Sequence, residues 1–76
     1  MKRYDLRHLK GAFENRMVEI MKEEQDPKEV LIFLFEIGDF SPIQRSADVV
    51  KESGYEMTNS LKFNEADWTI VVKRKD

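Results

Sequence analysis

"VLIFLFE", residues 30–36, is an unbroken apolar run closed by a carboxylate. Seven residues suit a buried strand better than a helix, and β-branched and aromatic side chains fill it, so it reads as the central strand of a sheet. Alternation splits it into two rows. Leu31, Phe33 and Phe35 form one, and Ile32, Leu34 and Glu36 form the other. The bulkier, more aromatic row is expected to meet the core.

On the N-terminal side, "KRYDLR" (2–7) alternates and reads as a short strand. From Ala12 the period changes. Phe13, Met17, Ile20 and Met21 fall on one helical stripe, with Glu14, Arg16, Glu19, Lys22 and Glu23 opposite. "QDP" (25–27) ends that helix, because the residue before proline disfavours helical geometry. On the C-terminal side, "DFSPIQRSADVVKESG" (39–54) reads as a second helix. Ser41 is its expected N-cap, Pro42 its first helical residue and Gly54 its stop, with Ile43, Ala47 and Val50 as the inner stripe. "YEMTNSLKF" (55–63) alternates as a strand, "NEAD" (64–67) is a polar turn, and "WTIVVKR" (68–74) is the last strand.

The predicted order is β-α-β-α-β-β in a single domain spanning residues 1–76. This is an α+β two-layer sandwich, in which a four-stranded mixed sheet carries both helices on one face. The other face is left uncovered. In the third strand, Met57, Asn59, Leu61 and Phe63 are predicted to point inward, with Glu56, Thr58, Ser60 and Lys62 in water. In the last strand, Ile70 and Val72 point inward and Thr69, Val71 and Lys73 outward. The uncovered face therefore reads Ile32, Leu34, Val71, Thr58 and Thr69 at its centre, with Lys62, Lys73 and Glu36 at its rim. A contiguous apolar patch of that kind indicates a ligand or partner more than chance exposure does. Trp68 alternates onto the core side but stands at a strand end. The alternative is a core plug, removing up to roughly 150–250 Å² from water, but the expectation is a partly buried platform that leans round the sheet edge beside Ile32 and Val71.

Composition bounds the chemistry. The 76 residues contain no cysteine, which rules out disulfides, thiolate ligands and thiol nucleophiles. Thirteen basic against fifteen acidic residues give a net charge of −2, a balance unlike that of a nucleic-acid binder. "MKRYDLRHLK" has no apolar leader core, and no run approaches membrane-spanning length, so a cytoplasmic protein without direct membrane insertion is expected.

Two family resemblances follow from these residues. "YDLRHLKGAFENRM" (4–17) resembles the opening of SirA/TusA-like sulfur carriers, in which Asp-x-Arg-Gly-Leu leads to a Cys-Pro pair. Asp5, Arg7 and Leu9 match, His8 replaces the glycine, and Gly11 and Ala12 stand where Cys-Pro belongs. The resemblance implies the fold, while sulfur relay is rejected for want of a thiolate. "MKRYDLRHLKGAFENRM" (1–17), "FEIGDFSP" (35–42) and "NSLKFNEADWTIVVKRK" (59–75) are similar to a short polypeptide of NADH-quinone oxidoreductase, respiratory complex I. In some bacteria that polypeptide takes the place of the usual E component. The ordinary E component holds a two-iron cluster on four cysteines, so a sequence with none is a replacement.

That second resemblance implies an accessory subunit assisting electron entry, docked on other hydrophilic-arm subunits and so peripheral to the inner membrane. It also implies a flavin mononucleotide (FMN) site carried onto Ile32, Leu34, Thr58, Trp68 and Val71. Lys62 and Lys73 are the phosphate candidates. Without a glycine-rich phosphate loop, any affinity is expected to be micromolar, about −8 kcal/mol. The alternative is a cofactor-free structural adaptor using the same face; a third reading is a stand-alone regulator. The remaining polar residues carry no chemistry of their own: His8 has no partner for a metal site, Asp39 serves the turn before the second helix, and "KEEQD" (22–26) is a solvated helix end.

Overall fold

The computed structural model describes residues 1–75. The elements are β1 (Lys2–Asp5), a 3₁₀ segment (Arg7–Ala12), α1 (Phe13–Glu23), β2 (Val30–Glu36), α2 (Ser41–Glu52), β3 (Tyr55–Lys62) and β4 (Asp67–Arg74). The sheet order is β1-β2-β4-β3. β1 runs parallel to β2, and β4 is antiparallel to both β2 and β3. The expected mixed four-stranded sheet is therefore present, with β2 and β4 at its centre.

Both helices cover the same face. Phe13, Met17, Ile20 and Met21 of α1 and Val50 of α2 join Leu31, Phe33, Phe35, Ile70 and Val72 in one buried cluster. The Phe13 and Phe35 rings stack at 4.4 Å with their planes 1° apart, and Tyr4 of β1 stacks on Phe33 at 5.7 Å. The α1 stripe is the predicted one. In α2 it is shifted: Pro42, Ser46 and Val50 are buried, whereas Ile43 and Ala47 are only half-buried. Ser46 tolerates burial because its hydroxyl donates to the Ile43 carbonyl at 2.7 Å.

Helix ends follow local chemistry. Ser41 is the first residue of α2 rather than its cap; its N–H and hydroxyl both donate to Asp39 Oδ1, at 2.9 and 2.6 Å. Gly54 ends the second crossover at φ +78°, a left-handed conformation that glycine adopts without a Cβ penalty. The end of α1 is not the solvated tip expected of "KEEQD". Glu24 is buried; its carboxylate accepts from Lys2 Nζ at 2.7 Å and its carbonyl accepts from Arg74 Nη2 at 2.7 Å. One residue thus ties α1 to β1 and to β4.

The face assignment of β3 needs a correction. Tyr55 pairs with Arg74, Glu56 with Lys73 and Met57 with Val72, but the next pair is Asn59 with Val71. Thr58 is an extra residue, and beyond such a bulge the alternation changes phase. Asn59 and Leu61 consequently share the open face with Val71 and Thr69, while Ser60 and Lys62 share the helix face with Ile70 and Trp68. This reverses the inward reading of Asn59, Leu61 and Phe63. Leu61 and Phe63 are 53% and 50% exposed.

At one end of the sheet Arg7 joins three segments. Its Nη2 and Nε donate to the two Asp5 carboxylate oxygens at 2.7 and 3.0 Å, and its Nη1 reaches Asp67 Oδ2 at 3.2 Å. Asp67 also accepts from Asn64 Nδ2 at 2.8 Å, and the Asn64 side-chain oxygen Oδ1 accepts the Ala66 and Asp67 N–H groups. The "NEAD" turn is thereby fastened to the β1 junction.

Two outcomes follow. Phe35→Ala should cost about 3–5 kcal/mol in urea unfolding, since it empties a core position. Ile32→Ala should cost under half of that, because part of Ile32 already faces water. The Arg7 side chain, and secondarily its backbone N–H, lowers the Asp5 pKa from the ordinary carboxylate value to about 2. A depressed folded pKa stabilises above the unfolded value of about 4 and is lost as pH falls through the folded one. The stability gap between the parent and Asp5→Asn should be widest above roughly pH 4 and close towards pH 2; a gap constant across that window would contradict the pairing.

Candidate functional site: the open face of the sheet

With both helices on one side, the other side of the sheet faces solvent. Its central rows come from β2 and β4, paired as Ile32 with Val71 and Leu34 with Thr69. β1 contributes Arg3, in register with Ile32, at one edge, and the turned-over end of β3 contributes Leu61, in register with Thr69, at the other. A shallow depression of about 430 Å³ lies over this surface, lined by Met1, Arg3, Ile32, Leu61, Lys62, Phe63, Thr69 and Val71. Ile32, Thr69 and Val71 are half-buried, so their methyls form a floor, and Phe63 stands at its margin. The Arg7 guanidinium lies 5.9 Å from the Phe63 ring centroid, a cation–π contact that helps hold the ring in place.

The five residues nominated from sequence do not form one cluster. Ile32, Leu34 and Val71 lie together on the open face, although Leu34 is only 6% exposed and offers little surface. Thr58 is the bulge residue, exposed, with its hydroxyl donating to the Val71 carbonyl at 3.2 Å. Trp68 is on the opposite face. It pairs with Phe35 and Lys62, packs half-buried against the core, and donates from Nε1 to Ser60 Oγ at 2.8 Å. Its partial burial agrees with expectation, but its ring does not border Ile32 and Val71. It lines a separate cleft of about 250 Å³ with Ile37, Gly38, Asp39, Phe40, Lys62 and Glu65.

Sequence reasoning missed Leu61 and Phe63, which the bulge delivers to the face, and Arg3, which it never weighed. The phosphate candidates are both engaged. Lys73 pairs with Glu56 at 3.5 Å and Lys62 with Glu65 at 3.6 Å. One polar atom on this face is also unpartnered: Thr69 Oγ1, buried and without a hydrogen bond among the described residues.

Comparison with known proteins adds the family. HP1264 from Helicobacter pylori, known from its solution structure, is 56% identical to this chain, with 100% of each covered and a TM-score of 0.68. No curated protein matches the sequence. A family described as "putative NADH-ubiquinone oxidoreductase", E component, matches residues 1–74. On that match over nearly its whole length, the protein belongs to this family.

Proposed function

We propose that this protein is a cluster-less accessory subunit of NADH-ubiquinone oxidoreductase, assisting electron entry and holding FMN on the open face of its sheet. Family membership supports the complex, and the absence of cysteine removes the iron–sulfur role that four thiolates would fill. The observation that carries the flavin reading is the bulge-made bed. Ile32, Val71 and the Thr69 methyl give a flat apolar floor, and a half-exposed Phe63 stands at its margin.

That bed fits a planar heteroaromatic ring. A depression of about 430 Å³ lies within the size range of small-molecule sites. Floor methyls exclude water from one ring face, and an aromatic neighbour adds roughly 0.5–1.5 kcal/mol beyond area burial. Bound flavin would supply redox chemistry that the protein's own side chains lack. The residues named here bind and orient. Because the depression is open on one side, affinity in the micromolar range, about −8 kcal/mol, is expected.

A second reading uses the same surface. Leu61 and Phe63, half-exposed beside an apolar floor, equally suit burial against another hydrophilic-arm subunit, making the protein an adaptor without cofactor. The two readings separate on titration with FMN monitored by amide chemical shifts. Flavin on the open face should perturb Ile32, Leu61, Phe63, Thr69 and Val71, and Phe63→Ala should weaken binding about tenfold. Trp68→Ala should weaken it far less, since that ring is on the other face. No shifts at saturating flavin, together with loss of the subunit from the assembled complex in Ile32→Asp, would establish the adaptor instead.

A further inference from the structure

Most cations around the open face already have a carboxylate partner. Arg7 is held by Asp5 and Asp67, Lys10 by Glu36 at 3.3 Å, Lys73 by Glu56, and Lys62 by Glu65. Arg3 is different. It is exposed, it lines the depression, and among the described residues it makes no ion pair and no side-chain hydrogen bond. Its register with Ile32, which itself pairs with Val71, sets it at the β1 end of a row running across all four strands. Three interstrand spacings of about 4.8 Å separate the two edge strands, so Arg3 stands on the order of 14 Å across the sheet from Asn59, the β3 residue that ends this row. Phe63 follows Asn59 by four residues along that edge.

Such a site is bipolar: an aromatic side chain borders one end of an apolar floor, and an uncompensated guanidinium lies at the other. Guanidinium presents its N–H groups in a planar fork that matches a phosphate or carboxylate with two parallel hydrogen bonds, and it keeps its charge throughout the physiological pH range. We infer that Arg3 is the anion-binding end of the open-face site and sets its specificity: the site takes an elongated ligand with a planar apolar body and a terminal anion, and discriminates against the same body without the anion. This rests on the flavin reading and deepens it, since FMN and riboflavin differ by the terminal phosphate. Arg3 acts here as a binding residue, with no part in electron transfer.

The experiment titrates the protein with FMN and with riboflavin, in the parent, Arg3→Gln, Arg3→Lys and Lys73→Gln, at low and raised salt, with amide spectra confirming the fold. The parent should prefer FMN about tenfold, the size expected of a charge-assisted contact in a solvent-exposed place. The preference should shrink with salt. Arg3→Gln should abolish it while leaving riboflavin binding unchanged, Arg3→Lys should keep part of it, and Lys73→Gln should keep all of it. Equal binding of both flavins by the parent would leave the flavin reading intact and overturn the role of Arg3. So would an Arg3→Gln variant that still prefers FMN, or one that loses both ligands equally. If the parent binds neither flavin, the flavin reading fails and the assignment of Arg3 falls with it.

Discussion

One extra residue in β3 decides what the open face is made of. Up to Met57 the strand alternates as its sequence suggests, and after Thr58 it alternates in the opposite phase. Without that bulge Leu61 would point towards the helix side and Ser60 and Lys62 would lie over Ile32 and Val71. The face would then be a polar, lysine-topped surface of the ordinary solvated kind. With the bulge, it is an apolar bed with Phe63 at its margin. The Thr58 hydroxyl bonded to the Val71 carbonyl ties the extra residue to the neighbouring strand where the ladder is interrupted.

The same phase change accounts for the helix face. Ser60 arrives beside Trp68, so the indole N–H has an acceptor and the ring can lie half-buried without an unsatisfied donor. The hairpin end is then fixed from two sides. Asn64 shapes the turn through the Ala66 and Asp67 N–H groups, and Arg7 fastens Asp67 to Asp5. At the other end of the sheet Glu24 links α1 to Lys2 and Arg74. Together these polar clamps hold β1 and the turn between β3 and β4, from which Arg3 and Phe63 are presented.

Much of this is legible in the sequence, for a physical reason. Where one face of an element is buried and the other wet, alternation or helical periodicity records the difference. The rows of β2, the α1 stripe and the inward Ile70 and Val72 are all readable on that basis. The bulge is not. Met57, Asn59, Leu61 and Phe63 continue an unbroken period of two through Thr58, so nothing local marks the change; only pairing with β4 reveals it. The helix face at that end of β3 demands few apolar residues, which is why Ser60 and Lys62 fit there and why pattern reading has no signal to follow. Trp68 departs from expectation for a different reason. Its parity puts it correctly on the core side, and placing it round the sheet edge overrides that signal. Glu24 misleads because a carboxylate in an acidic run looks solvated until Lys2, from a distant strand, closes on it.

Nuclear Overhauser contacts from the Phe63 and Leu61 side chains test the turned-over strand directly. Phe63 ring protons should show contacts to the methyls of Val71, Thr69 or Ile32, and Leu61 methyls to Thr69, while the Trp68 indole shows contacts to Ser60 and to none of Ile32 or Val71. Contacts of Leu61 or Phe63 with Trp68 or with α2, and of Ser60 with Val71, would place β3 in a single unbroken phase and contradict the open face described above.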